Sequence, residues 1–261
     1  MYIALTIAGS DSGGGAGIQA DLKTFHQLGV YGTSVITAIT AQNTRGVTRW
    51  EAVSPGMVRA QLDAVATDLR PRAFKTGMIA DASIAGAIAT GAREHDLSNY
   101  VLDPVMVATS GDVLIEPDAV AAIREHLLPL CAVATPNAHE AALLAGFPVE
   151  AEADLAKAAE ALVRELGAGA ALVKGGHIDT GGETVDVLYA DGSAVAFRNR
   201  RVATTSTHGT GCTLSAAITA ELAKGNDLRV ACARAVEFVH RAIEAAPGLG
   251  SGHGPLNHFV R

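Results

Sequence analysis

Two glycine-rich segments carry most of the chemistry that this sequence offers. The first, Gly9-Ser-Asp-Ser-Gly-Gly-Gly-Ala-Gly17, holds five glycines. A simple turn needs one or two. The density points to backbone approaching a ligand, with the N–H groups of a following helix available to it. The second, His208-Gly-Thr-Gly-Cys212, precedes an apolar run of Leu214, Ala217, Ile218 and Leu222. At the positive end of that helix, the backbone N–H groups of Gly209, Gly211 and Cys212 can form an anion hole. Such a hole stabilises a phosphoryl group in transfer. A cysteine at a helix start is expected to have a lowered thiol pKa and more thiolate character. His208 is a weaker candidate, because a turn histidine is more often incidental.

Other polar residues stand where strands end. Asp103 precedes Pro104, and its carboxylate either faces a metal-bound phosphate or makes an Asx-type turn. Asn137 and Glu140 are three apart at a helix start, so they share one face. They either position water or Mg²⁺ with phosphate, or they form a helix cap with a first-turn acid, and taken alone the cap is the stronger reading. Lys174 precedes Gly175-Gly176 and either pairs with nucleotide phosphates or is solvated. Gln42 and Asn43 are expected just after a strand. An amide there offers donors and an acceptor to a heteroaromatic edge, or simply belongs to a polar loop. Cys131 and Cys232 read as small core residues.

Several familiar sites are excluded. Gly13 and Gly15 begin G-x-G-x-x-G, but Ile18 occupies its last position. No Gly-Lys pair exists for a Walker A loop, and Leu143 replaces the second histidine of H-E-x-x-H. There is no G-x-S-x-G elbow.

The elements that must hold these residues alternate. Strands are predicted at 2–8, 33–39, 73–75, 100–102, 132–134 and 170–173. Helices are predicted from Ile18 to Leu28, after Pro55, after Asp81, after Pro117, and over 154–166, 213–223 and 228–245. Asp191-Gly192 between 185–189 and 194–198 is a hairpin signal. Serial βα units imply an α/β fold with a mostly parallel sheet and helices on both faces. The polar segments gather at the carboxyl ends of the strands, where open α/β sheets bind ligands. One domain over 1–261 is the simplest organisation.

Composition agrees. Of the 261 residues, 49% are hydrophobic and 18% charged, a globular balance rather than a disordered one. The formal net charge is −7 without a basic stripe, which argues against nucleic acid and against an anionic membrane surface. Three widely spaced cysteines make neither a disulfide framework nor a zinc ribbon. No leader-like start and no run of membrane-spanning length is legible, so a cytoplasmic protein is expected.

Taken together, 8–23, 40–44, Lys75-Thr-Gly-Met78, Asp103-Pro-Val-Met106, Val173-Lys-Gly-Gly-His177 and His208-Gly-Thr-Gly-Cys-Thr-Leu-Ser215 resemble the hydroxymethylpyrimidine/phosphomethylpyrimidine kinases of thiamin biosynthesis. The resemblance covers nearly the whole chain. It implies a ribokinase-like three-layer α/β/α sandwich, a cytoplasmic homodimer, and two ATP-dependent phosphorylations of 4-amino-5-hydroxymethyl-2-methylpyrimidine. By position, Gln42, Asp21 and Gly9 would line the pyrimidine pocket, with Met78 and Val105 packing on the ring. Asp103 and Glu140 would organise Mg²⁺. Lys174, Asn137 and Thr210 would contact the nucleotide, and Gly209 to Cys212 would form the anion hole. Many members of the wider superfamily carry an aspartate base where this chain has Cys212. Cys212 is therefore expected to matter mostly in the first step, whose acceptor is an alcohol. A vitamin B6 kinase is the alternative enzyme, since pyridoxal kinases share the fold and some pyrimidine kinases also phosphorylate pyridoxine-like rings. A ligand-binding sensor would have lost the anion hole or the acids, and both are present.

Overall fold

The computed structural model describes residues 1–106 and 117–260. Among them, nine strands join one sheet: β1 (Ile3–Ser10), β2 (Tyr31–Asn43), β3 (Gly46–Ala52), β4 (Ala73–Thr76), β5 (Tyr100–Leu102), β6 (Val133–Ala134), β7 (Ala171–Lys174), β8 (Glu183–Ala190) and β9 (Ser193–Arg200). Their spatial order is β3-β2-β1-β4-β5-β6-β7-β8-β9. The six strands from β2 to β7 are parallel, and antiparallel pairs close both edges.

Strand periodicity builds two cores. In β1, Leu5 and Ile7 enter one and Ala4 the other; in β5, Tyr100 and Leu102 oppose Val101. The first core is covered by α2 (Pro55–Asp68), α3 (Ala82–Glu94), α4 (Pro117–Ala122), α5 (Ala138–Ala145) and α6 (Glu152–Arg164), through residues such as Leu62, Ile88 and Leu155. The second is covered by α1 (Gly17–Gln27), α7 (Thr210–Ala223) and α8 (Leu228–Glu244), through Phe25, Ile218 and Phe238. The fold is thus the three-layer, mostly parallel α/β/α sandwich expected for a ribokinase-like chain.

Local signals explain the boundaries. Ser54 caps α2 ahead of Pro55, and the Asp81 carboxylate accepts the Ile84 N–H at 2.9 Å to start α3. Asp191 and Gly192 both have positive φ, as a two-residue hairpin turn requires.

The structure departs from expectation at one edge. β2 runs on to Asn43 and pairs with β3, which the sequence pattern does not signal. β3 is an edge strand whose residues are all at least partly exposed, so no alternation of apolar and polar residues betrays it. Gln42 therefore sits on a strand rather than in the loop beyond one.

The chain moves from β1 to β2 on one side, then returns to β4 on the other. That reversal opens a crevice at the carboxyl end of β1. Asp81→Ala, which is not among the residues lining the crevice, should cost about 1 kcal/mol in urea unfolding and leave ligand binding unchanged.

Candidate active site

A cleft of about 660 Å³ opens along these carboxyl ends. On the β1–β2 side it is lined by Gly9, Asp11, Gln42, Met78, Val105 and His208. Near β8 and β9, the lining includes Asp186, Arg200, Val202 and the α8 residues Val236, Val239 and Ile243. Between the two lie Asp103, Asn137, Glu140, Lys174 and the segment from Gly209 to Cys212.

Beneath the cleft, β4 carries Lys75 wholly out of water. Its Nζ lies 3.0 Å from Asp21 Oδ1 and 3.9 Å from Asp103 Oδ2. Burial works against the ammonium, but Asp21 and then Asp103 outweigh it, and its pKa stands above the usual lysine range. Thr6 Oγ1 donates to Asp21 Oδ2 at 2.6 Å. Asp103 then meets a second cation, with Lys174 Nζ 3.2 Å from Oδ1, and accepts from Ser215 Oγ at 3.2 Å. Charges alternate from Asp21 through Lys75 and Asp103 to Lys174.

Two further carboxyls stand at the Lys174 end. Burial lifts the pKa of Glu140 above the usual carboxylate range, against the pull of Lys174 and helped by the charge on Asp103. Burial also pushes Asp186 up to about 6, against its bond from the Gly175 N–H and the Lys174 charge. Asp21, Asp103, Glu140 and Asp186 thus gather around the ammonium groups of Lys75 and Lys174, while Arg200 and Arg201 line the β8–β9 side of the cleft.

Glu140 and Asn137 do form the cap. Asn137 Oδ1 accepts the Glu140 N–H at 2.9 Å, and Glu140 Oε2 accepts the Asn137 N–H at 2.8 Å. The cap and the site are not alternatives, because both residues also face the cleft.

The start of α7 depends on glycine. Gly209 precedes α7 with φ +82°, and a Cβ there would lie 1.8 Å from Gly15 O. The loop and the helix start therefore touch backbone to backbone. Gly211 and Cys212 lie in the first turn of α7, where helix geometry supplies no carbonyl for their N–H groups. A Cβ on Gly211 would meet Lys174 Nζ at 3.0 Å and both Asp103 carboxylate oxygens at 3.8 Å. Helix terminus, cation and carboxylate converge here.

Three expectations need correction. Cys212 is not thiolate-prone. Burial pushes its thiol up to about 12; the Lys75 charge and the Gly17 N–H lower it only in part. Desolvation at this half-buried position outweighs the helix end and the nearby cation. The N–H groups of the first glycine loop are not open to a ligand either. Asp11 takes them: its carboxylate accepts from Gly13 at 2.8 Å, Gly15 at 3.0 Å and Ala16 at 2.8 Å. Asp21 is buried and does not line the cleft; it acts from below, through Lys75.

The remaining candidates, Gly9, Gln42, Met78, Asp103, Val105, Asn137, Glu140, Lys174 and Gly209 to Cys212, all reach the cleft. Asp11, Asp186 and His208 also line the cleft, and Lys75 lies beneath it, beyond the residues that the sequence pattern marks most strongly. Lys75 had a signal: a lysine inside a short apolar strand needs a buried partner. Asp186 had none, as it is one polar residue in an alternating hairpin strand.

A family model for phosphomethylpyrimidine kinase matches residues 11–257. The chain belongs to that family. The hydroxymethylpyrimidine/phosphomethylpyrimidine kinase of Rhizobium meliloti (strain 1021) is 56% identical over 99% of this chain and 97% of its own length. Among solved structures, an ADP complex of Bacillus subtilis pyridoxal kinase is 40% identical with a TM-score of 0.92, covering 99% of this chain and 97% of that one. The phosphomethylpyrimidine kinase of Clostridium difficile 630 is 39% identical with a TM-score of 0.83, covering 93% of this chain and all (100%) of the other. No helix among the described residues is long and apolar enough to cross a membrane.

Lys75→Met should destabilise the fold by about 3–5 kcal/mol in urea unfolding, since it leaves the buried Asp21 carboxylate without its cation and Asp103 with Lys174 alone. Adding Asp21→Leu should restore much of that loss. Gly209→Ala should cut kcat by about 10²-fold or more, because the N–H donors move with the displaced loop.

Proposed function

We propose that the chain transfers the γ-phosphoryl group of ATP to the hydroxymethyl oxygen of 4-amino-5-hydroxymethyl-2-methylpyrimidine, and then phosphorylates the monophosphate to the diphosphate. The product is the pyrimidine half of thiamin. The observation that carries this reading is the convergence of Lys174, Asp103 and the start of α7 in one cleft with Gln42, Met78 and Val105.

Each group has a role that its position supports. Gln42 pairs with the polar edge of the ring, and Met78 and Val105 pack on its faces. Gly9 allows close approach, since a Cβ there would meet the Met78 sulfur at 3.0 Å. The N–H groups of Gly209, Gly211 and Cys212 receive the charge that develops on the phosphoryl oxygens. Lys174 follows the nucleotide phosphates, with Asn137 and Thr210 at their rim. The apolar α8 residues Val236, Val239 and Ile243 offer a slot for the base.

Asp103 and Glu140 fit a magnesium site of the kind completed by phosphates. They are oxygen ligands that both line the cleft, and no group of three or more His, Cys, Asp or Glu side chains among the described residues forms a closed cage. Magnesium ordinarily binds in this way, through one or two carboxylates plus phosphates. When bound, it would neutralise charge building on the β- and γ-phosphoryl oxygens.

Cys212 rests as a thiol. In the first transfer the acceptor is an alcohol, and only the thiolate can take its proton. In the second, the acceptor is a phosphate with a second pKa of about 6, already largely ionised near neutrality. The two steps therefore ask different things of one residue. The reading further places the chain in the cytoplasm as a single-domain kinase that pairs as a homodimer. The similarity to pyridoxal kinase structures favours a side activity on pyridoxal-type rings.

Incubation with Mg-ATP and hydroxymethylpyrimidine, followed by mass spectrometry, should show the monophosphate and then the diphosphate. Phosphorylated pyridoxal alone, in a parallel reaction, would assign the chain to vitamin B6 salvage instead. The first step should also accelerate with pH between about 7 and 9, because the thiolate fraction rises about tenfold per unit below a pKa of about 12. The second step should stay flat. Cys212→Ala should remove the rise and spare the second step, and equal losses in both would contradict the assignment.

A further inference from the structure

The His208 imidazole has no task in the transfer itself, yet it is buried between the two glycine-rich loops. Its Nε2 lies 2.9 Å from Asp11 Oδ2 and 3.4 Å from Gln42 Nε2. Gln42 Oε1 lies 3.2 Å from Thr40 Oγ1, and the Thr40 hydroxyl donates to Ser10 O at 2.7 Å.

Proton accounting constrains this cluster. Asp11 Oδ2 also accepts the Gly15 and Ala16 N–H groups. Burial raises the Asp11 pKa, but the bond from His208 and the backbone bonds prevail, and the group remains a carboxylate. A carboxylate only accepts, so the hydrogen between Asp11 and His208 belongs to His208 Nε2. That nitrogen cannot accept a second hydrogen from the Gln42 NH₂. Thr40 has used its one hydrogen on Ser10 and offers only lone pairs. With the amide nitrogen toward His208, donor meets donor there and acceptor meets acceptor at Thr40. A half-turn of the amide resolves both contacts. The Gln42 carbonyl then shares the His208 Nε2 hydrogen with Asp11, as the second and more distant acceptor, and its NH₂ donates to Thr40.

We infer that Asp11 and His208 are specificity-determining positioning residues: the hydrogen on His208 Nε2 holds the Gln42 carbonyl toward His208 and so fixes the order of donor and acceptor that Gln42 shows to the acceptor ring. The inference rests on the pyrimidine reading above. In a 4-aminopyrimidine, ring N3 accepts and the neighbouring amine donates. A side-chain amide held in one order matches that edge bidentately, as Asn or Gln matches adenine. The 4-oxo analogue reverses the edge, with a hydrogen on N3 and a carbonyl at C4. It fits only the turned amide.

Titration calorimetry with 5-hydroxymethyl-2-methylpyrimidine rings bearing 4-amino or 4-oxo groups tests this directly. The unmodified chain should prefer the amino ring by about tenfold or more. His208→Leu leaves Thr40 alone to orient the amide, and the preference should fall. His208→Gln keeps a donor near the same place and should retain it. A role confined to stability would weaken both rings alike and leave their ratio intact. A preserved ratio in His208→Leu, or no preference in the unmodified chain, overturns the inference. Should His208→Leu fail to fold, Thr40→Val removes the other partner of the amide and should lower the same ratio; an unchanged ratio overturns the inference equally. If the unmodified chain neither binds nor phosphorylates the amino ring, the pyrimidine reading itself fails. If it turns the amino ring over while the ratio survives in His208→Leu, only the positioning role falls.

Discussion

A lysine ammonium sealed under the sheet's carboxyl edge constrains everything above it. Lys75 cannot keep its charge there without Asp21 and Asp103. Those contacts tie α1, β4 and the end of β5 into one rigid floor. Asp103 is shared with Lys174, so the floor extends from β5 to β7. Holding charges in a low dielectric costs stability, because desolvation is repaid only through good geometry and further hydrogen bonds. Thr6 and Ser215 supply such bonds. What the arrangement provides is a preorganised field: dipoles and charges already aimed at the place where phosphoryl oxygens gain charge.

The same low dielectric explains the state of Cys212. A helix end and a lysine both favour a thiolate, yet burial opposes it more strongly. The residue is therefore a poor resting base. That is tolerable because phosphoryl transfer asks little covalent help of the protein and much positioning. Burial first, and then the Asp103 charge, also hold the Glu140 pKa above the usual carboxylate range, against the pull of Lys174.

Much of this was legible in the sequence. The alternating elements, the caps at Asp81 and Asn137 and the Asp191-Gly192 hairpin all rest on local chemistry. The two glycine loops marked the place of the cleft. Their roles were less legible, because a loop's N–H groups are committed by whichever carboxylate folds back on them. Asp11 satisfies its own loop, and no spacing rule distinguishes that from an empty cradle. β3 is not legible because an exposed edge carries no alternation. Asp21 carries no local mark of its burial, since its partner Lys75 is far away in the sequence and near only in the folded sheet.

The account's central claim is that acceptor and γ-phosphoryl group meet over the start of α7, with the charged floor beneath. A crystal structure with hydroxymethylpyrimidine and a non-hydrolysable ATP analogue tests it most directly. The account predicts the ring between Met78 and Val105 with its edge on Gln42. It also predicts the hydroxymethyl oxygen facing the γ-phosphoryl group above Gly209, Gly211 and Cys212, and Lys174 against the phosphates. A ring bound away from Gln42, or phosphates distant from Lys174 and the α7 terminus, would contradict it.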